Sequence, residues 1–429
     1  MRIRQALALA VGAAACVAAL ASPPAASTAR PSTDTPPLAL ADALRAAANN
    51  LDVAIAGRNA QAAQADVAAA DHAPLPQLSG KLSQIDLQNG IGSGNVLTAK
   101  RIDKGVGLDW TWERGDKRAL RTEAARRSAG ATLADVDEVR LQQMLAAHAA
   151  FFDLLAAQDR LAEVQRVEQG AQQLADTAAR RLQAGDLAQQ DAARAAIEAL
   201  RAGADTQAAR ADVQRARGVL ALQTGLDARS LSARAEWPTA AAIDTAAFNA
   251  ITDEALARRA DVRAAAERVR AAEAALGGAR ALRSADLSWG ASLDHYPGTS
   301  TRQLEVRVQM PLAWGYHYEG ESGRAQAQLD QARDQLDKTR RMAAAELQQL
   351  QDAVVSTGQR AQRYDEEILP RAREVLQRAE LAYNKGALPL TDLLDARRTL
   401  RATLLEALAV RTERAKALGA WQLRSELRP

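Results

Sequence analysis

Four histidines, His72, His148, His295 and His317, are the side chains of this sequence best suited to hold a metal ion or move a proton near neutral pH. Their spacing assigns them neither task. No two stand four apart, none has a cysteine companion, and they are scattered among different elements, so no zinc-site pattern is present. His148 lies within a helical pattern and reads as a packed or solvated helix residue. The run Tyr316-His317-Tyr318-Glu319-Gly320-Glu321 offers metal-binding groups but follows a strand pattern and reads as a polar turn. Acidic residues number 52 against 55 Lys and Arg, interleaved as on solvated helix faces, with no isolated acid/base pair. There is no glycine-rich phosphate loop and no nucleophile elbow, so neither an enzyme nor a cofactor is expected.

The carboxylates that stand apart lie in two matching stretches. One is Tyr383-Asn384-Lys385-Gly386-Ala387-Leu388-Pro389-Leu390-Thr391-Asp392-Leu393-Leu394-Asp395-Ala396; the other is Arg181-Leu182-Gln183-Ala184-Gly185-Asp186-Leu187-Ala188-Gln189-Gln190-Asp191. Gly185 pairs with Gly386, Leu187 with Leu388 and Asp191 with Asp392. Each glycine ends one helix, and acids sit near the N-terminus of the next, the tip of a helical hairpin. Two readings of Asp392 and Asp395 stand open. As early-helix carboxylates they stabilise by under about 1 kcal/mol each. Repeated by several subunits around a narrow opening, they would draw cations and repel one another.

Such tips need long helices to carry them. No proline occurs between Pro76 and Pro238, and aromatics are 3% of residues while hydrophobics are 48%. Long helices with thin Ala/Leu seams follow, not a thick globular core. Matched tips imply an internally duplicated chain: repeat 1 over 38–226, a connector over 227–250 and repeat 2 over 251–429. A helical rod from about 117 to 184 would run on the order of 100 Å, and Pro370 marks a kink or junction in the second rod. Asp52-Val53 recurs as Asp261-Val262, and Leu78-Ser79 as Leu287-Ser288. Each repeat also holds a β-hairpin, over about 76–113 and 285–312, where apolar and polar residues alternate. Trp110, Trp112 and Trp289 are the candidate interfacial anchors. The four strands suit a soluble sheet or a membrane barrel. In a membrane they cannot close alone, so a homo-oligomer must pool strands.

Arg2, Arg4 and the apolar run from Ala6 to Ala21 read as an export signal over 1–21, followed by an extended, Pro-rich lead-in over 22–37. Cleavage after Ala21 removes Cys16, the one cysteine; processing at Cys16 would instead make it a lipid-bearing first residue. A net charge of +3 with evenly mixed signs predicts no nucleic-acid partner.

The plan of helix, β-hairpin, long helix, tip and long helix, given twice, resembles the TolC family of outer-membrane channels. The Tyr383 to Ala396 stretch carries the likeness best. The segment Trp112-Glu113-Arg114-Gly115-Asp116-Lys117-Arg118 is similar to one in the CzcC-like heavy-metal branch. The resemblance implies a mainly α chain with a transmembrane β part. Three copies would form a 12-stranded β-barrel continued by a periplasmic α-helical barrel. It also implies tunnel-entrance residues at Tyr383, Asp392, Asp395 and Asp191, with Tyr383 at the latch position. Where drug-efflux relatives carry an arginine after the tip glycine, this chain has Leu388. The partners implied are outer-membrane lipid, an adaptor docking at Gly185, Leu187, Gly386 and Leu388, and an inner-membrane pump of the RND type. Heavy-metal cations are the expected cargo, with drug efflux or type I secretion as the alternative. A periplasmic coiled-coil scaffold remains the competitor from another class, though it explains neither β-hairpin.

Overall fold

The computed structural model describes residues 36–83, 88, 102–238, 256, 258–296 and 300–425. The expectations for the export signal, Cys16 and most of the lead-in lie outside the described residues, as does much of the connector. The chain divides into units at residues 1–36 and 37–429, and the second holds every described helix and strand.

The described chain opens with two helices, α1 (Leu40–Ala47) and α2 (Leu51–Ala70), rather than one continuous helix. Asn50 is the cause. Its side chain accepts a hydrogen bond from the Val53 amide at 3.1 Å and caps α2, which favours a fresh start over continuation. Strands β1 (Gln77–Ser83) and β2 (Asp103–Trp112) lead into α3 (Lys117–Gln183), whose 67 residues extend on the order of 100 Å. Helix α4 (Gln189–Thr224) returns along it.

The rest of the described chain gives α5 (Ala260–Ala281), β3 (Leu287–Tyr296), β4 (Ser300–Gln309), α6 (Glu319–Arg363), α7 (Leu369–Asn384) and α8 (Leu390–Ser425). A π-helical turn, Tyr364–Ile368, joins α6 to α7. Pro370 lies just beyond it and cannot donate to the carbonyl four residues back, so the helix widens there without breaking.

The strands form one antiparallel sheet in the order β1-β2-β3-β4. Its register puts Leu78 opposite Leu108, Val106 opposite Leu293, Trp110 opposite Trp289, and Ala291 opposite Val306. Strand alternation thus gathers the large apolar side chains on one face, and that face is open: Leu304 is 67% exposed. The opposite face carries Ser79, Asp109, Thr111, Ser288, Ser292 and Arg307. Asp109 accepts from Arg307 at 2.8 Å, and Thr111 and Ser288 hydroxyls meet at 2.9 Å. Gly290 faces Asp109 across the sheet because a Cβ there would collide with the carboxylate.

The helices bury thin seams. Ala171 and Ala178 of α3 and Ala195, Ala199, Ala202 and Ala209 of α4 are all buried. Among the described residues the core is thickest where Phe151, Phe152, Leu154 and Leu155 of α3 meet Val213 and Leu220 of α4 and Leu231 of the following segment. Trp237 stacks at 5.7 Å from Phe152 and donates its indole N–H to Asp159 at 2.9 Å. His148, 5% exposed, lies 4.9 Å from Phe152. Helix α8 crosses here at Gly419, where a Cβ would overlap the imidazole. An ion network joins distant helices: buried Arg259 binds Asp261 at 2.9 Å and Glu346 at 2.6 Å, while Arg424 binds Glu346 at 3.0 Å and Glu138 at 2.9 Å. Removing one partner would strand a buried charge, so the network ties α3, α5, α6 and α8 together.

Candidate functional site

The two tips share one backbone construction. Gly185 and Gly386 adopt φ of 80° and 74°, the left-handed region where a side chain is strained. Asp186 donates its amide to the Arg181 carbonyl at 2.8 Å, and Ala387 to the Ala382 carbonyl at 2.9 Å. These six-residue bonds satisfy carbonyls left over at each helix end. Helices α4 and α8 then begin four residues after their glycines and are both 36 residues long. Beneath the tips, Ala178, Ala195, Leu390, Leu393 and Leu394 form a buried cluster against which Leu187 and Tyr383 pack. Gly185 and Gly386 are exposed, and Leu388 is half-buried.

Side chains distinguish the tips. The Tyr383 hydroxyl accepts from Arg181 at 3.5 Å, and the Arg181 guanidinium lies 5.5 Å from the Tyr383 ring centroid. Arg181 thereby joins the two hairpins. Spacing alone did not single it out, because the position matching it in repeat 2 is Ala382. Asp191 pairs with Arg194 at 3.6 Å. Asp392 and Asp395 are exposed; Asp392 accepts from the Thr391 hydroxyl at 3.2 Å. Arg398 binds Glu198 at 2.6 Å. That hydrogen bond first, and the nearby Asp395 charge less strongly, raise its pKa above the ordinary arginine value. The tip face is therefore acidic residues interleaved with arginines.

The strand-to-helix corner uses most of the charges in residues 112–118. Arg121 forks onto Glu113 at 2.8 and 3.2 Å, Lys117 binds Asp286 at 2.7 Å, and Arg118 binds Asp71 at 3.2 Å. Gly115 and Asp116 turn the chain with φ of 75° and 57°. Beyond β4 the corresponding corner is longer and carries Trp314, 86% exposed, which the sequence pattern did not mark. Trp110 and Trp112 near the end of β2 and Trp289 near the start of β3 lie toward the same helix-proximal margin of the apolar face.

Among the described residues, no group of three or more His, Cys, Asp and Glu is placed to hold a metal ion. No described helix is long and apolar enough to cross a membrane.

The family described as outer membrane efflux protein matches residues 44–226 and 251–421. No curated protein matches. Solved structures do. The Campylobacter jejuni CmeC outer membrane channel is 16% identical with a TM-score of 0.76, over 90% of this chain and 85% of that one. CusC is 18% identical with a TM-score of 0.76, over 90% and 91%. The open state of the Neisseria gonorrhoeae MtrE outer membrane channel is 18% identical with a TM-score of 0.73, over 90% and 88%.

Proposed function

The chain belongs to the outer membrane efflux protein family, an outer-membrane channel with a long periplasmic helical extension, and on that premise we propose that three copies form one passive exit duct. Four strands from each copy make a 12-stranded barrel, and the helices make the periplasmic tunnel below it. The observation that carries this reading is the sheet, with an open apolar face, a polar opposite face, and edge strands β1 and β4 that need partners in lipid. Helix α4 adds support. Ile197, Leu200, Val219 and Leu222 are all exposed and fall within one stripe about 100° wide, which suits a second copy of the chain.

The tips Gly185, Leu187, Gly386 and Leu388 receive the periplasmic adaptor, and an inner-membrane pump, of the RND type in this reading, drives the cargo. Asp191, Asp392, Asp395 and Tyr383 line the entrance, with Arg181 holding Tyr383 in place. For cargo we favour organic drugs as well as metal cations over metals alone. Residues 112–118 are the sole support for the heavy-metal branch, and Glu113, Lys117 and Arg118 are engaged in the corner.

Fractionation of the expressed protein, with heated and unheated gels, tests the duct. The expected species is an outer-membrane trimer that collapses to monomer on heating; a soluble periplasmic monomer would overturn it. A deletion strain is expected to become sensitive to organic drugs. Sensitivity to metal cations alone would restore the narrower heavy-metal reading.

A further inference from the structure

Behind the tips the two hairpins enclose a cavity of about 260 Å³, with α3 and α4 on one side and α7 and α8 on the other. Its walls are aliphatic: Val167, Ala171 and Leu174 of α3, Leu376 of α7, and Leu394 and Leu404 of α8. Leu174, Leu376 and Leu394 also belong to the cluster beneath the tips, so the cavity begins where that packing ends. Gly170 lies beside it, about 20 Å along the helix from the Gly185 tip.

The rim is charged, and its charges are matched. Arg397 donates to Glu380 at 2.9 Å and to the Gly170 carbonyl at 3.3 Å, and Arg398 donates to Glu198 at 2.6 Å. Arg166 pairs with Glu163 at 2.7 Å, and Arg401 with Asp205. Each rim cation already has its counter-ion, so a charged guest would give up its hydration without gaining a partner. Water is poorly served too, because aliphatic walls offer it no hydrogen bonds and the Gly170 carbonyl is taken. A neutral, apolar guest meets neither cost. An aliphatic-lined cavity of about 150 Å³ takes one benzene ring, so this larger one suits one or two fused rings. The stripe of α4 assigned to a second copy leaves the space free. Ala195 and Glu198 line the cavity, whereas Ile197 and Leu200 fall on a different side of the helix.

We propose that this cavity binds a small neutral aromatic molecule, one or two fused rings in size, and that the bound molecule braces the two hairpins together. It touches α3 of one hairpin and α7 and α8 of the other, so separating the hairpins costs it the contacts on one side. Binding therefore favours the arrangement in which Arg397 holds Gly170 and Arg398 holds Glu198. In a duct whose entrance lies at the tips, a braced pair of hairpins conducts less. The binding stands on the cavity alone; its effect on conduction rests on the duct reading above.

The test titrates the full chain, purified in detergent, with naphthol, naphthoate and naphthylmethylamine, which are neutral, anionic and cationic at neutral pH. Naphthol is expected to raise the unfolding temperature in a saturable way. The charged analogues are expected to bind at least about 10-fold more weakly, since each would bury a charge without a counter-ion. Leu376→Trp fills the cavity from the α7 side and is expected to weaken naphthol binding at least about 10-fold, equivalent to about 55 Å² of lost apolar contact. Uptake of naphthol by micelles acts equally on wild type and variant. Equal naphthol binding by the variant, or tighter binding of either charged analogue, would overturn the proposal. If Leu376→Trp does not fold, Val167→Phe fills the same space from α3 and is held to the same outcome. In planar bilayers, naphthol is expected to lower the conductance of the wild-type duct and to have no effect on the variant's. Binding without that change would refute the brace. A chain that binds naphthol but forms no channel would refute the duct reading and leave the site standing.

Discussion

In the helical rods, alanine and leucine point into seams while arginine and glutamate face outward; in the sheet, leucine, valine and tryptophan point outward while glycine, serine and aspartate share the opposite face. Each region buries what its surroundings do not solvate. The rods lie in water and hide apolar surface between helices. The sheet makes sense only against lipid, where the exposed side chains are the apolar ones and the polar groups must be satisfied across strands. One chain therefore carries two opposite burial rules, and the corner at residues 112–118 is where they exchange.

Truncation and charge insertion should separate the two regions most strongly. Phe152→Ala empties the thickest part of the rod core and is expected to cost about 3–5 kcal/mol, read by thermal or denaturant unfolding. Val306→Arg, on the exposed sheet face, is expected to cost about 2–4 kcal/mol on transfer into lipid, read as lost outer-membrane recovery. A Val306→Arg protein that inserts normally would break the comparison, because it would make the apolar face a soluble surface.

A pH dependence should follow from the rods alone. Burial first, and the neighbouring Lys416 charge second, push the His148 imidazole down to about 4 from its ordinary 6.5. The folded state then binds fewer protons than the unfolded state. Its stability contribution is complete above pH 6.5 and is lost as pH falls toward 4, by roughly 3 kcal/mol. Unfolding measured from pH 7 to 4 should show this loss in wild type and a flatter profile in His148→Leu. Equal profiles would place the imidazole in contact with water.

The smallest effect belongs to the tips, where the two repeats differ by single side chains. Arg181→Ala removes the contact with Tyr383, worth under about 1 kcal/mol at an exposed site. It should leave assembly intact while raising single-channel conductance of the reconstituted duct. Asp392→Ala should weaken cation preference in the same recording. Unchanged conductance and selectivity in both would leave these residues as ordinary helix-end groups.

The tips were legible in sequence because turn chemistry is local: Gly185 and Gly386 demand positive φ wherever the chain goes, and the leucine and aspartate after each glycine recur at the same spacing. The strands were legible for the same reason, since alternation assigns faces without knowing the partner. The split at Asn50 is not legible from periodicity, because its capping side chain competes with continued helix. Arg181, Trp314 and the Gly419 crossing were missed because each depends on where a second segment lies. The resemblance at residues 112–118 suggested a cargo; folding showed Glu113, Lys117 and Arg118 committed to Arg121, Asp286 and Asp71.

By itself, the sequence determined long helices, two glycine-ended tips and four alternating strands, all of which depend on neighbours a few residues apart. Only the tertiary structure decided that Arg181 reaches Tyr383, that Gly419 admits His148, and that Arg259 and Arg424 join Glu346 and Glu138. Those pairs are brought together by segments many tens to hundreds of residues apart in the chain. Helical period says which face a side chain takes, while the register between two helices depends on the packing of all their seams at once.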